Sequence, residues 1–184
     1  MITLFGHAGA HADRLNSSSI EKQMQTTHAG EWARTLNSGF LQLLMQGGRV
    51  HSEDTWTVAV CGDIRWRSGS KDNPLSALIA GFRRDGVKAL DNVLGHFLIV
   101  VANSANRDIW VAVDRTGVHR IFYQLADGDL RFATHLKPLV KAADARPKIC
   151  EQAIYNYLYF HMIPSPHTIY RDYFKLEPGH ALHW

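Results

Sequence analysis

Four short apolar segments follow one another between residues 97 and 133, each set off from the next by a loop or turn, and they constrain the fold most. Phe97–Ala102, Ile109–Val113, Ile121–Leu125 and Leu130–Ala133 are rich in β-branched and aromatic residues and read as strands. Asn103–Asp108 supplies the hairpin turn between the first two, and Asp127-Gly128-Asp129 turns the chain into the fourth. Helices are predicted around them. Pro74 suits a first helical turn, and Leu75, Leu78, Ile79 and Phe82 then share one face before Asp85-Gly86 closes it. Glu151–His161 reads as a helix stopped by Pro164 and Pro166. Asn16 to Ser19 offers caps for a helix through Glu21 and Met24, and Trp32–Met45 carries apolar residues near helical spacing up to Gly47-Gly48. Met1–Gly6 and Thr55–Cys61 are predicted as strands, each ended by glycine, with a polar loop from Trp66 to Asn73. The pattern is that of one α+β domain over residues 1–184.

Composition narrows the function by exclusion. Cys61 and Cys150 are too few for a disulfide framework or a four-thiolate zinc site. A net charge of +3 is too small to imply a nucleic-acid partner. No apolar run approaches the ~18 residues that span a bilayer, and no export signal is visible at the N-terminus. The expectation is a cytoplasmic domain with neither a membrane nor a nucleic acid as partner. Eleven histidines raise the question of a metal. His7 and His11 are four apart and His180 and His183 three apart, spacings a helix turns to one face, but no third ligand follows by spacing and no metal site is assigned.

The second half also carries an ordered series of motifs. Leu94-Gly95-His96-Phe97, then Asp114-Arg115-Thr116-Gly117-Val118 leading to Phe122-Tyr123, then Phe132-Ala133-Thr134-His135-Leu136-Lys137 come first. Tyr157-Leu158, Ile163-Pro164-Ser165-Pro166-His167-Thr168-Ile169-Tyr170 and Lys175-Leu176-Glu177-Pro178-Gly179-His180 complete it. The series resembles the N-terminal glutaminase domain of the asparagine synthetase family, a class II glutamine amidotransferase of the N-terminal-nucleophile hydrolase type. The N-terminal MITLFGHAG is similar to that family's MCGIFGxxG. The resemblance implies a four-layer αββα sandwich of two antiparallel sheets. In the series itself, Asp114 is expected to accept backbone N–H bonds and Gly117 to take a positive φ, fixing a tight turn.

Where the family keeps its chemistry, this sequence departs from the pattern. The nucleophile there is a Cys directly after the initiator Met, whose freed α-amine acts as base. Here that position is Ile2, which has no lone pair to attack an amide carbon. The family's NGEIYN segment supplies an oxyanion-hole Asn and a Gly N–H. The matching Cys61-Gly62-Asp63-Ile64-Arg65-Trp66 keeps the Gly but sets Cys61 in place of the Asn. The substrate-amine Asp of the family falls on Pro74 in the simplest register, and a slip of two restores Asp72. No AHxRL segment supplies the carboxylate-binding Arg; Arg49 and Arg65 are the substitutes on offer. Cys61, Gly62, Asp63 and Asp72 are thus a pocket remnant.

Cys61 also has a plain reading as a small buried filler, its thiol held protonated by the neighbouring Asp63. Thr3 would become a nucleophile only if Met1 and Ile2 were removed, and is otherwise a strand residue. Arg65-Trp66-Arg67 with Lys71 reads as a solvated loop. The expected function is a degenerate glutaminase-like domain of an ATP-dependent amide-forming ligase, its old cleft a docking surface. Similar domains lacking the Cys occur in β-lactam synthetases and lasso-peptide cyclases. The synthetase domain, in cis or in trans, would hold ATP and Mg, since the SGGxDS motif does not occur here and this chain needs no cofactor. Pairing of two copies as a homodimer is left open. The alternative is an active amidotransferase with an unorthodox or processed N-terminal nucleophile.

Overall fold

The computed structural model describes residues 3–12, 33–37, 39–69, 71–143 and 146–184. They fall into two compact units, one built from residues 3–46 and 120–177, the other from 47–119 and 178–184. Each unit is organised around one antiparallel sheet.

In the first unit β1 (Thr3–Ala8), β2 (Ala33–Asn37), β3 (Leu41–Gln46), β8 (Phe122–Ala126), β9 (Asp129–Ala133) and β10 (Phe174–Lys175) form a sheet ordered β10-β8-β9-β1-β3-β2. The predicted first strand exists but runs past Gly6, because the Phe132 ring of β9 lies where a side chain at Gly6 would sit. The helix expected over Trp32–Met45 is corrected to two strands, β2 and β3, with Gly39 between them. The apolar count misled because β3 is central and buried on both faces, so Leu41, Leu43, Leu44 and Met45 show no strict alternation. The helix expected through Glu21 and Met24 lies outside the described residues. Among the described residues, this unit holds the helices α2 (Leu136–Ala142) and α3 (Glu151–Phe160). α2 escaped prediction because of Pro138, which is tolerated in the first turn where its missing N–H has no helical partner. Leu139 of α2 packs with Phe5, Leu44, Ala133 and Tyr173 into this unit's core.

The second unit orders β4 (Arg49–Glu53), β5 (Trp56–Trp66), β6 (Val93–Asn103), β7 (Asp108–Val113) and β11 (Ala181–His183) as β11-β7-β6-β5-β4. α1 (Pro74–Asp85) starts where predicted, with Asn73 Oδ1 accepting the N–H groups of Leu75 and Ser76 at 3.2 Å each and Pro74 in the first turn. Its Leu75, Leu78, Ile79 and Phe82 bury against Val58, Val60, Ile99 and Val101. A 3₁₀ stretch, Gly86–Asn92, then leads into β6. Among the described residues no helix is long and apolar enough to cross a membrane.

Candidate functional site

Gly62 does not end β5 as the sequence reading had it; the strand runs on to Trp66 and pairs with β6 from Trp56↔Asn103 to Trp66↔Val93. It can do so because Gly62 (φ +92°) and Gly95 (φ +120°), across the pair, occupy the left-handed half of backbone space. A Cβ on Gly62 would lie 2.2 Å from the His96 carbonyl oxygen and 2.7 Å from His119 Nε2. The glycine is required by the backbone of the strand pair. His119, two residues past the Asp114–Gly117 turn, is therefore the ring nearest this backbone, and no motif pointed to it.

Cys61 is fully buried opposite Leu98. Its thiol donates to the Gly47 carbonyl at 3.6 Å, and burial pushes its pKa up to about 12. The thiol therefore stays protonated at neutral pH and is neither a nucleophile nor an amide-like oxyanion donor. The plain reading of Cys61 holds, with the cause corrected: burial raises the pKa, whereas Asp63 points to solvent and pairs with Arg65 Nε at 3.6 Å.

The other residues of the expected remnant sit on different elements of the unit. Asp72 is exposed, just before the Asn73 cap of α1. Arg49 lies across from Val60 on β4, whereas Arg65 is five residues further along β5, roughly 17 Å at strand rise. The register therefore does not gather the two arginines at one point. Ile2 lies outside the described residues. Thr3, in β1 of the first unit, pairs with Gln46 of β3 and is 2% exposed, its Oγ1 buried with no hydrogen-bond partner among the described residues.

The histidine pairs do not sit on helices. His7 is in β1, and its Nε2 lies 2.9 Å from Asp129 Oδ2, while His11 Nδ1 reaches the same oxygen at 3.2 Å and the Ala10 N–H donates to Oδ1 at 3.0 Å. Burial lowers the His7 pKa, and the nearby Arg131 adds to that, outweighing the bond to Asp129. His7 is thus neutral and donates through Nε2. Burial would raise the Asp129 pKa, but the hydrogen bond from His7, with that of His11, outweighs it and holds the carboxyl below its ordinary range. In the second unit, His180 Nδ1 bonds the Pro178 carbonyl at 3.0 Å, whereas His183, in β11, pairs with Asp108 at 3.0 Å and stacks on Trp110. Among the described residues no group of three or more His, Cys, Asp or Glu side chains is placed to hold a metal ion.

The Asp114 turn is built as the motif predicted. Asp114 Oδ1 accepts from the N–H groups of Thr116 (2.8 Å) and Gly117 (3.1 Å) and from the Thr116 hydroxyl, and Oδ2 accepts from the Phe97 N–H at 3.2 Å. Burial opposes the charge of Asp114, yet these bonds outweigh it and its pKa lies below the usual carboxylate value. Gly117 (φ +63°) packs against Pro178, and the Gly179 N–H bonds the Asp114 carbonyl at 2.9 Å, so the two family-like segments meet. Beside this turn lies a cavity of about 390 Å³ lined in part by Lys88, Leu94, Phe97, Asp114, Arg115 and His180. None of Cys61, Gly62, Asp63 or Asp72 lines it.

Residues 64–184 match the family model of a glutamine amidotransferase domain. The chain belongs to that family. This glutamine amidotransferase domain is related to asparagine synthetases: it is 26% identical over 108 residues to asparagine synthetase [glutamine-hydrolyzing] 1 of Bacillus subtilis (strain 168), and 25% identical over 111 residues to a putative asparagine synthetase [glutamine-hydrolyzing] of Mycobacterium tuberculosis (strain H37Rv). Each alignment takes in 59% of this chain but 17% of the relative, so the domain corresponds to a small part of a much larger protein. Among solved structures, the glutamine phosphoribosylpyrophosphate amidotransferase of B. subtilis, complexed with ADP and GMP, matches with a TM-score of 0.54 at 11% identity, over 98% of this chain and 46% of that one. A structure of the allosteric regulatory enzyme of purine biosynthesis matches with a TM-score of 0.54 at 12% identity, again over 98% of this chain. These likenesses give the fold: two antiparallel sheets with flanking helices, the class II, N-terminal-nucleophile type expected from the motifs.

Proposed function

We propose that this glutamine amidotransferase domain has lost glutamine hydrolysis and serves as the structural, glutaminase-like N-terminal domain of an asparagine synthetase-type, ATP-dependent amide-forming ligase. The observation that carries the reading is Ile2. Amide hydrolysis on this fold needs a nucleophile at the position after Met1, and a sec-butyl side chain has none. The thiol nearest in sequence to the expected oxyanion position, Cys61, supports the same reading, being protonated and committed to the Gly47 carbonyl. ATP and Mg²⁺ belong to the synthetase domain, in the same polypeptide or another, because this chain has no SGGxDS motif to hold the nucleotide.

The test is glutamate release from glutamine by the purified chain, with intact mass recorded on the same sample. The reading expects no release above the uncatalysed rate and a mass that retains Met1. Turnover would overturn it, and the mass would then show whether Thr3 had become the first residue.

A further inference from the structure

Among the described residues, most of the large apolar side chains left exposed are crowded into one short stretch. Ile149, Ile154, Tyr155, Tyr157, Leu158, Tyr159, Phe160 and Met162 are all exposed, the leaders being Leu158 and Tyr159 at 71%. They belong to α3 and its two ends, and of the helix's own residues only Ala153 is buried. Not one Asp, Glu, Lys or Arg occurs from Gln152 to Tyr170. A solvated helix alternates apolar and charged faces; one that is apolar nearly all round is a buried element. Depletion of charge with enrichment of Tyr, Phe and Met is the composition of an interface core.

The helix is also held ready. The Cys150 N–H bonds the Ile169 carbonyl at 2.9 Å, Arg171 pairs with Glu151 at 3.2 Å, and His161 in the left-handed conformation closes the C-terminal end by donating to the Tyr157 carbonyl at 2.8 Å. A pre-ordered helix loses little freedom when a partner closes on it.

We propose that α3 is the docking element for the synthetase-type domain, which takes the helix into an apolar groove. The inference rests on the function proposed above and says where on the chain that partner sits: on α3, instead of on the old glutaminase cleft. Size and shape select this occupant. At 150–250 Å² per aromatic side chain, the exposed fractions add up to roughly 900 Å², more than the largest patch of an ordinary monomer. That is the area one partner contributes to a specific, stable interface, about 800 Å². At 3.6 residues per turn the exposed side chains from Tyr157 through Ile154, Leu158 and Tyr155 to Tyr159 sweep about 200° of the helix surface. A second copy laying its own α3 alongside covers a stripe of about 100° and leaves the rest wet. A groove in a larger domain covers the whole arc. The curated relatives have such a domain's worth of chain to spare, since this domain matches only 17% of their length.

The test is site-specific photo-crosslinking in the source cells, using the natural full-length polypeptide with benzoylphenylalanine placed at Tyr155 or Leu158 on α3, and separately at Leu125 or Val118, exposed apolar residues outside α3. Crosslinked peptides are identified by mass spectrometry, which reads partners in the same chain and in others. The expected result is linkage from Tyr155 and Leu158 to a domain carrying SGGxDS, and none from Leu125 or Val118. Linkage from α3 to a second copy of this chain, to a protein of another class, or to nothing overturns the proposal. Linkage to a synthetase-type domain from Leu125 or Val118 alone overturns the docking surface and leaves the proposed function standing; no such domain from any position overturns both. In a second arm the probe is moved to Tyr159 and combined with Tyr155→Glu and Leu158→Glu. Both sites face water, so the melting temperature is expected to hold within a few degrees while the linkage yield falls at least tenfold. An unchanged yield overturns the proposal.

Discussion

The Asp114 turn and the Cys61–Trp66 end of β5 lie in the same unit and share a residue. Phe97 gives its N–H to Asp114 Oδ2 and stands opposite Gly62 in the β5–β6 register. At the turn, side chains and backbone serve one purpose: a buried carboxylate collects donors from Phe97, Thr116 and Gly117 and locks the turn onto β6. At the strand end the backbone still takes the unusual left-handed glycine geometry, but the side chains around it do ordinary work: Cys61 fills space, and Asp63 and Arg65 pair in solvent. Scaffold geometry and chemistry separate cleanly here, because a fold is held by its turns and packing whereas an activity is held by a few side chains grafted on it.

The largest effect should come from the backbone requirement itself. Gly62→Ala forces a Cβ to 2.2 Å from the His96 carbonyl at a φ of +92°, and we expect a loss of about 3 kcal/mol or more, or no folded protein. A urea midpoint within experimental error of the parent would break the claim that this strand pair depends on that geometry. Next comes the turn. Asp114→Ala leaves the buried Phe97 N–H without its acceptor and releases the Thr116 N–H, while Gly117 keeps its bond to the residue 114 carbonyl; the expected cost is about 1–3 kcal/mol in thermal unfolding.

A smaller, graded effect concerns pH. The pKa of His7 is lowered in the folded chain, chiefly by burial, so the unfolded chain binds the proton more readily and stability falls as pH drops below about 6.5. Asp114 and Asp129 are also depressed; their contribution is complete above the unfolded value near 3.9 and is lost as pH falls below it. Melting temperature should therefore decline in two stages from pH 7 to 3, and His7→Gln should flatten the first. A first stage unchanged in that variant would assign it elsewhere. Smallest in stability is Cys61→Ala, about 1 kcal/mol, but the native Cys61 thiol should react with a thiol reagent far more slowly than the partly exposed Cys150. Equal rates would mean that Cys61 is chemically available after all.

How much was legible follows the reach of the signal. α1 could be read from Asn73-Pro74 and the spacing Leu75, Leu78, Ile79 and Phe82, because a helix is specified within a few residues of itself. The Asp114 turn was equally local. β2 and β3 were misread because burial on both faces erases the alternation that marks a strand. β10 and β11, two and three residues long, carry no periodicity at all. The His7–Asp129 contact joins residues 122 apart and exists only once β1 and β9 pair. At the candidate site, Ile2 lies outside the described residues and stays a reading of the sequence, whereas the compensating glycines Gly62 and Gly95 and the approach of His119 needed the register of the sheet.

The most direct test of a kept scaffold with lost chemistry is the rate of glutamate release by the unaltered chain beside an Ile2→Cys variant whose initiator Met is shown by intact mass to be gone. The account expects neither to exceed the uncatalysed rate, since Cys61 still stands where an amide donor is needed. Turnover by the unaltered chain would contradict the account outright, and turnover restored by Ile2→Cys alone would show that the pocket had survived the loss of its nucleophile.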